Sequence, residues 1–187
     1  MDMKYEIKFY TNWHCGSGLS SGADCDSLVV KDKNGLPFVP GKTIKGLLRE
    51  AATEVVKFKQ INNGDDKLIK IFGLPYNSDD GDTVNQGQTY FSNAKLSKDE
   101  ENILKDTELT KYLYDSHAFT KIGKDGIAAD TSLRRMESVV PCVLIGEILN
   151  IPDKECEDIL IDAFKYTKRL GLDRNRGFGR CDFQPIN

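Results

Sequence analysis

Hydrophobic and polar residues alternate at the start of the chain and predict a β-strand there. Tyr5, Ile7 and Phe9 are separated by single polar residues, and a period of two is typical of a strand with one buried face. Residues 139–151 form the most apolar segment and predict a second, core strand. The core positions expected in that strand are Val143, Ile145 and Leu149.

Two other segments space their apolar residues as helices do. The first follows Pro40-Gly41, and its apolar face consists of Ile44, Leu47, Leu48, Ala51 and Val55. The second opens at Pro152-Asp153, and the residues on its apolar face are Cys156, Ile159, Leu160, Ala163 and Thr167. Acidic residues come early in this second segment and basic residues late, which suits the helix dipole. Gly171 is the predicted C-terminal cap.

Short strands at 89–91 and 181–183 complete the order β-α-β-β-α-β. This order predicts an α+β protein with a ferredoxin-like (RRM-like) core, formed by one domain that spans residues 1–187. Two stretches are too long for ordinary connections and are predicted to be insertions, at about 59–86 and 97–136. Both are expected to be largely irregular, except for a short helix near Ile103.

The charge balance excludes a protein that coats nucleic acid indiscriminately. The 26 Lys and Arg residues are outnumbered by 29 Asp and Glu residues, for a net charge of −3, whereas such proteins are usually basic. One segment departs from this balance, because basic residues outnumber acidic ones by six to one between Lys165 and Arg180. The sequence therefore indicates a localised basic face.

Cysteine and histidine usage argues against a structural zinc site. There are five cysteines, an odd number without a Cys-x-x-Cys pair, and only two histidines. Free thiols favour a reducing, cytoplasmic location. The first residues lack the apolar core of a signal peptide, and no apolar run is long enough to span a bilayer, so we expect no membrane association.

Two glycine-rich loops point to a polyanionic ligand, most plausibly RNA. One covers residues 15–22, and the other, residues 171–180, reads GLDRNRGFGR. Glycine lets a ligand approach the backbone closely, and arginine presents a planar fork of donors that matches phosphate oxygens. The predicted RNA-binding loop therefore contains Gly171, Gly177 and Gly179 together with Arg174, Arg176 and Arg180.

The first predicted helix carries a basic stripe opposite its apolar face. Lys42, Lys45 and Arg49 recur at helical spacing. The stripe begins at the helix N-terminus, where free N–H groups favour an anion. These three side chains are predicted to bind phosphate, with a solvated helix face as the alternative.

Four segments together resemble the RAMP superfamily of CRISPR-associated proteins. They are HCGSG at 14–18, DSLVVKD at 26–32, LPFVPGKTIKGLLR at 36–49 and RNRGFGR at 174–180. Within that superfamily, the chain is most similar to the repeated backbone subunit of type III effector complexes. The resemblance implies a ferredoxin-like core with an inserted β-hairpin, or thumb, within residues 115–140. It also implies a subunit that binds CRISPR RNA and target RNA, associates with itself along the guide and joins other effector-complex subunits.

The resemblance further implies that Asp26 is the aspartate needed to cut target RNA. His14 and Ser17 of the first loop are further candidates for contact with RNA. Mg²⁺ is often held by only one or two protein carboxylates, so Asp26, with Asp24 two residues earlier, could hold Mg²⁺ or another divalent cation. Such an ion would offset the charge that develops as the 2′-OH attacks the adjacent phosphate.

Several alternatives remain at this point. Asp26 could instead stabilise a turn, and His14 could be a hydrogen-bonded structural residue. The chain could be an inactive binding and assembly subunit, or a CRISPR RNA-processing endoribonuclease that uses His14. Outside the superfamily, the alternative is a generic RNA-recognition module that stacks bases on Tyr90 and Phe91.

Overall fold

This computed structural model describes residues 1–22, 24–74, 86–105 and 108–186. The strands of the described residues are β1 (Met3–Phe9), β2 (Phe38–Val39), β3 (Tyr90–Phe91), β4 (Ala94–Lys95), β5 (Tyr114–Phe119), β6 (Arg134–Val139), β7 (Val143–Leu149) and β8 (Cys181–Ile186). The helices are α1 (Gly41–Lys59), α2 (Gly64–Phe72), α3 (Lys98–Lys105) and α4 (Lys154–Tyr166), with short 3₁₀ turns at Glu108–Leu113 and Arg174–Arg176. The chain is therefore an α+β protein, as predicted.

The main sheet is antiparallel and places the N-terminal strand β1 between β7 and the edge strand β8. Its order is β2-β4-β7-β1-β8, with β3 also pairing β7. The core face of β1 consists of Met3, Tyr5, Ile7 and Phe9, all buried, so the predicted alternation is confirmed. Helix α4 covers this face, with Phe164 against both Tyr5 and Phe183 at ring-centroid distances of 5.3 and 5.5 Å.

Strand β7 has the opposite phase from the predicted one. Its buried positions are Leu144, Gly146 and Ile148, whereas Val143, Ile145 and Leu149 are half-buried. Pairing with β1 sets this phase, because directly opposed residues of an antiparallel pair point to the same face. Those pairs are Ile7 with Leu144, Tyr5 with Gly146 and Met3 with Ile148.

Gly146 explains why the phase of β7 was predicted wrongly. An ideal Cβ at Gly146 would lie 2.4 Å from the Tyr5 hydroxyl oxygen, so the tyrosine ring fills the space above the glycine. A core position without a side chain interrupts the apolar alternation on which the prediction depended.

The predicted insertions contain more regular structure than expected. Helix α2 lies in the first of them, whose residues 75–85 are outside the described part of the chain. The second contains α3, which confirms the short helix near Ile103, and also β5 and half of β6. The expectation of a largely irregular 97–136 was therefore wrong.

Strands β5 and β6 pair with each other as a separate two-stranded sheet, from Tyr114 opposite Val139 to Phe119 opposite Arg134. This hairpin coincides with the range that the family resemblance gives for a thumb. Its base is tied to the body by an isolated bridge between Trp13 and Val139.

The five cysteines are free, and four of them are buried, which agrees with a packing role. In the described residues, no helix combines the length and apolarity needed to cross a membrane.

Candidate nucleic-acid interface

The two glycine-rich loops, far apart in sequence, lie side by side at the end of β1. The backbone N–H of Leu172 donates to the carbonyl of His14 at 3.0 Å, and that of Gly179 donates to the carbonyl of Asn12 at 2.8 Å. An ideal Cβ at Gly171 would lie 2.3 Å from the His14 oxygen. The segments that carry the two loops therefore meet through direct backbone contacts.

The glycines of the second loop differ in what they allow. Gly171, Gly177 and Gly179 all have positive φ angles, of 102°, 95° and 66°. A Cβ at Gly179 would lie 1.9 Å from the carbonyl oxygen of Leu170, while Gly177 has open space around it. Gly171 is not the cap of α4, because that helix ends at Tyr166 with Thr167 as its C-cap.

Asp26 links the first loop to the base of the hairpin. Its carboxylate oxygen Oδ2 accepts a hydrogen bond from the backbone N–H of Arg135 at 2.7 Å. Its own N–H donates to the carbonyl of Arg135 at 3.0 Å. Asp26 therefore hydrogen-bonds to backbone groups, as expected if its role is structural. Its partner, however, is Arg135 on β6 and not a residue of its own turn. Asp24, also exposed, donates its N–H to the Ser21 carbonyl at 3.2 Å.

A small cleft of about 100 Å³ opens beside Asp26, between the hairpin and the second loop. Its lining includes carboxylate groups as well as guanidinium groups. Its lining residues are Asp26, Ser27, Phe119, Arg134, Arg135, Met136, Leu172 and Asp173. Leu172 and Asp173 belong to the second loop, so the cleft depends on the contact between the loops.

The donor set of this cleft fits a divalent cation only in part. No group of three or more His, Cys, Asp or Glu side chains that could hold a metal occurs within the described ranges. One oxygen of Asp26 is engaged by Arg135, and two arginines line the same cleft. Protein carboxylates could supply one or two ligands, so phosphate oxygens and water would have to complete the shell.

The arginines of the second loop are exposed, and their backbone is fixed. The Arg169 guanidinium Nη1 donates to the carbonyl of Arg174 at 2.6 Å, which holds the 3₁₀ turn in place. Arg176 Nη1 lies 3.8 Å from Asp173 Oδ1. The Arg180 guanidinium lies 5.7 Å from the centroid of the Tyr10 ring. All three predicted arginines therefore present cationic heads to solvent from an ordered loop.

A larger cleft of about 540 Å³ separates this loop from helix α1. One wall carries Lys168, Arg169 and Arg174. The wall contributed by α1 carries Glu50 and Glu54, and its lining does not include Lys42, Lys45 or Arg49. The charges across this cleft are therefore mixed.

The three residues of the basic stripe predicted on α1 differ in how exposed they are. Lys42 is exposed at the helix N-terminus, whereas Lys45 and Arg49 are half-buried. Burial, and then the charge of Arg49, lower the pKa of Lys45. The Arg49 guanidinium donates to the carbonyls of Phe72 and Gly73 at the C-terminus of α2, the second contact at 3.3 Å. Arg49 thus satisfies helix-end carbonyls that would otherwise lack a partner.

Ser17 and His14 are both held by backbone carbonyls. Ser17 Oγ donates to the carbonyl of Leu28 at 3.0 Å. His14 is 1% exposed, and its Nδ1 lies 2.6 Å from the carbonyl oxygen of Glu137 on β6. A ring this buried reaches a ligand only if the loop opens, so the geometry favours the structural alternative for His14.

The family resemblance gave the range of the hairpin, but no residue of the hairpin was predicted to belong to the site. Arg134, Arg135 and Phe119 line the Asp26 cleft but lie in a stretch expected to be irregular. The paired arginines were the available signal. In contrast, Phe91 is buried against Phe72, with ring centroids 5.6 Å apart, so it cannot stack a base as proposed for the generic module, although Tyr90 is exposed.

Comparisons with solved structures show the same fold in chains of the type III-B Cmr-beta. A chain from the cryo-EM structure of the type III-B Cmr-beta bound to cognate target RNA superimposes with a TM-score of 0.72. It is 12% identical, and the match covers 99% of this chain and 97% of that one. A chain from the apo state of the type III-B Cmr-beta gives a TM-score of 0.67 at 12% identity, covering 100% of this chain and 98% of that one.

No curated protein sequence matches the chain. The model of the RAMP superfamily matches residues 6–182, a range that includes both glycine-rich loops, the hairpin and most of the main sheet. The chain therefore belongs to the RAMP superfamily.

Proposed function

We propose that this chain is an RNA-binding backbone subunit of a type III CRISPR effector complex and that it cleaves bound target RNA with Asp26. The observation that carries the proposal is the convergence of three segments at one cleft. The segment that follows the first loop contributes Asp26, the hairpin contributes Arg134 and Arg135, and the arginine-rich loop contributes Asp173. Membership of the RAMP superfamily and the fold shared with chains of the Cmr-beta assemblies support it.

The arrangement of the main sheet supports a ferredoxin-like core for this subunit. Strands β8, β1, β7 and β4 are neighbours in that order, and α1 and α4 connect them in the sequence β-α-β-β-α-β. The β5–β6 hairpin would be the thumb. Its loop exposes Ile122, Ile127 and Leu133, side chains suited to contact RNA or a neighbouring subunit.

The RNA backbone would follow the cationic side of the two loops. Arg174 and Arg176 are exposed and ordered, and Lys42 stands at the N-terminus of α1. Burial raises the pKa of the Cys15 thiol, while a hydrogen bond with Thr43 and the charge of Lys42 act in the opposite direction, so the first loop lies beside this helix N-terminus. The partners proposed for this chain are guide RNA, target RNA, further copies of the chain and other effector subunits.

Cleavage would proceed by attack of a ribose 2′-OH on the adjacent phosphate. The 2′-oxygen would lose its proton and bond to phosphorus, the bond from phosphorus to the 5′-oxygen would break, and that oxygen would leave with a proton, which gives a 2′,3′-cyclic phosphate and a 5′-hydroxyl. Arg134 and Arg135 are placed to balance phosphate charge beside Asp26. Asp26 would act through its carboxylate oxygens, one of which is oriented by the Arg135 N–H. A divalent cation held there, by Asp26 with or without Asp24, would add charge stabilisation as the oxyanion forms.

The test uses Asp26→Asn in the complex assembled with its neighbouring subunits. Asparagine keeps an oxygen that can accept the Arg135 N–H but removes the charge, so the hairpin base should remain intact. With Mg²⁺ and complementary RNA, we expect target cleavage to fall by about 10²-fold or more while the RNA remains bound. Asp24→Asn is the matched control, for which a smaller loss is expected.

Three results of this test would contradict different parts of the proposal. Cleavage by Asp26→Asn at the wild-type rate would remove Asp26 from the mechanism. Absence of cleavage by the wild-type complex, with RNA still protected at regular intervals, would establish the inactive assembly subunit. Purification of the complex without repeat-derived RNA would overturn the assignment to this class.

A further inference from the structure

An open groove runs between α1 and α4 and continues into the larger cleft beside the arginine-rich loop. The part between the two helices has a volume of about 270 Å³. Glu54 and Tyr166 line both this part and the larger cleft, so the two form one helix groove. It extends along α1 from Leu47 to Phe58, a length of about 17 Å or about three helical turns. None of its lining residues belongs to the Asp26 cleft.

Two exposed aromatic side chains line the helix groove. Phe58 is 89% exposed and Tyr166 is 60% exposed. The other apolar residues of the lining are Leu47, Ala51 and Val55 on α1. A single exposed apolar side chain is normal on a protein surface. Two aromatic rings beside one apolar strip are instead typical of a surface that binds another protein.

The two sides of the helix groove carry opposite charges. The α1 side is acidic, with Glu50 and Glu54. The opposite side is basic and is formed by the end of α4 and the residues that follow it, namely Lys165, Lys168, Arg169 and Arg174. Lys59 and Asp162 pair with each other at 2.5 Å near the Phe58 end. Among the described residues no ion pair joins Glu50 or Glu54 to the basic side, because Glu54 pairs with Lys57 on its own helix.

This distribution of charge favours one kind of partner. RNA is disfavoured, because Glu50 and Glu54 would repel its phosphates along one whole side. An added β-strand needs the free backbone groups of a sheet edge, whereas this groove lies between helices. An amphipathic helix meets each requirement, because its apolar stripe can contact Phe58 and Tyr166 while its two polar flanks face the two charged sides.

We infer that the helix groove docks an amphipathic helix of another subunit, about three turns long, whose apolar stripe lies between an acidic and a basic flank. The acidic flank faces Lys165 and Arg174, and the basic flank faces Glu50 and Glu54. The inference rests on the proposed function, since the partner is sought among the subunits that assemble with this chain. A second copy of this chain and an extended peptide are the competing occupants.

The first experiment identifies the occupant in the complex assembled with its neighbouring subunits. Phe58→p-benzoylphenylalanine places a photo-crosslinking group in the groove, and mass spectrometry locates the crosslinked peptide. We expect a helical segment of a different subunit, with apolar residues at i, i+4 and i+7 and flanks of opposite charge. Tyr112→p-benzoylphenylalanine is the control, because Tyr112 is 67% exposed but does not line the groove. It should not crosslink to that segment.

The second experiment measures the affinity of the crosslinked segment, made as a synthetic peptide, for the purified chain. Phe58→Gln combined with Tyr166→Gln should weaken binding by about tenfold or more, because buried aromatic anchors dominate interfaces of this kind. Both side chains are exposed, so thermal unfolding and RNA binding should stay unchanged. Tyr112→Gln should bind the peptide like the wild type.

Charge reversal tests the orientation of the docked helix. Glu50→Lys should weaken peptide binding by about two- to fivefold, and a peptide whose facing lysine or arginine is replaced by glutamate should recover that loss. Recovery requires the two charges to face each other, so general damage to the fold would not produce it. Failure of every such peptide to recover the loss would overturn the proposed orientation.

The remaining outcomes separate this inference from the proposed function. If the complex assembles but residue 58 crosslinks to a second copy of this chain, to RNA, to an extended segment or to nothing, only the helix groove fails. Unchanged peptide binding by the double glutamine variant, or an equal loss with Tyr112→Gln, also overturns the groove alone. A chain that purifies with neither RNA nor other subunits contradicts the proposed function itself.

Discussion

Gly171 packs directly against the carbonyl oxygen of His14, so that even a Cβ would approach that oxygen to 2.3 Å. This contact joins the two glycine-rich loops that pointed to a polyanionic ligand in the sequence. Because the clashing atom belongs to the backbone, no side chain can move aside to relieve the overlap. The closeness of the two loops therefore depends on the absence of a side chain at residue 171.

Gly171→Ala should destabilise the protein and weaken RNA binding together. The substitution combines a backbone clash with a φ of 102°, and strain of this kind costs about 1–3 kcal/mol. Gly177→Ala is the matched control, because its φ of 95° imposes similar strain while nothing lies within 4 Å of its Cβ. Thermal unfolding and RNA titration should show a larger effect at 171, and equal effects would contradict the role given to the loop contact.

Arg49 should be important for stability because its guanidinium caps α2. Arg49→Met would leave the carbonyls of Phe72 and Gly73 without this donor. Leaving a buried polar group unsatisfied costs about 1–3 kcal/mol. Urea unfolding should report a loss of this size, while Lys42→Met, at an exposed position of the same helix, should unfold like the wild type. An unchanged midpoint for Arg49→Met would show that the cap contributes nothing.

The fold could be predicted where periodicity reflects burial on one face. Strand β1 and helix α4 have uninterrupted patterns, and the structure buries the expected residues. Strand β7 was predicted in place but not in phase, because Gly146 supplies no hydrophobic signal where Tyr5 fills the core. Helix α2 was missed because its few apolar residues lie in a polar stretch and depend on α1 for their packing.

The site could be predicted in part, since glycine and arginine spacing identified loops that do meet. Sequence could not show how each side chain is held. His14 and Arg49 look like ligands in a list of polar residues, yet both are bound to backbone carbonyls. Arg135 and Phe178 acquire their positions from contacts between distant segments, and local patterns do not contain such contacts.

Asp182 should make the stability of the protein sensitive to acid. Its hydrogen bond with Lys168 Nζ, at 2.8 Å, is the main cause of a lowered carboxyl pKa, and a bond from the Tyr10 hydroxyl adds to it. A carboxyl whose folded pKa lies below its unfolded value stabilises the fold above the unfolded value, which is about 4. That contribution is lost as the pH falls through the folded pKa.

We therefore expect the stability difference between wild type and Asp182→Asn to shrink as the pH is lowered from 7 to below about 4. Urea unfolding across this range measures the difference directly. Glu108→Gln is the control, because the Glu108 side chain is 95% exposed in a 3.7 Å pair with Lys111 and such pairs contribute little. A stability difference for Asp182→Asn that stays constant with pH would mean that its ion pair does not contribute to folding.

The arginines of the second loop should determine how RNA affinity depends on salt. Each phosphate that a cationic side chain neutralises releases counterions, so the slope of log affinity against log salt concentration changes by about 0.7 per contact on single strands. Arg174→Gln and Arg176→Gln should each reduce the slope by about this amount if each arginine contacts one phosphate. Lys57→Gln is the control, since Lys57 is exposed on α1 and paired with Glu54 at 3.3 Å. RNA binding measured at several salt concentrations shows whether these arginines contact phosphate or only face solvent. Unchanged slopes for both arginine variants would mean that they face solvent without touching RNA, and the path proposed for the RNA backbone would then have to leave this loop.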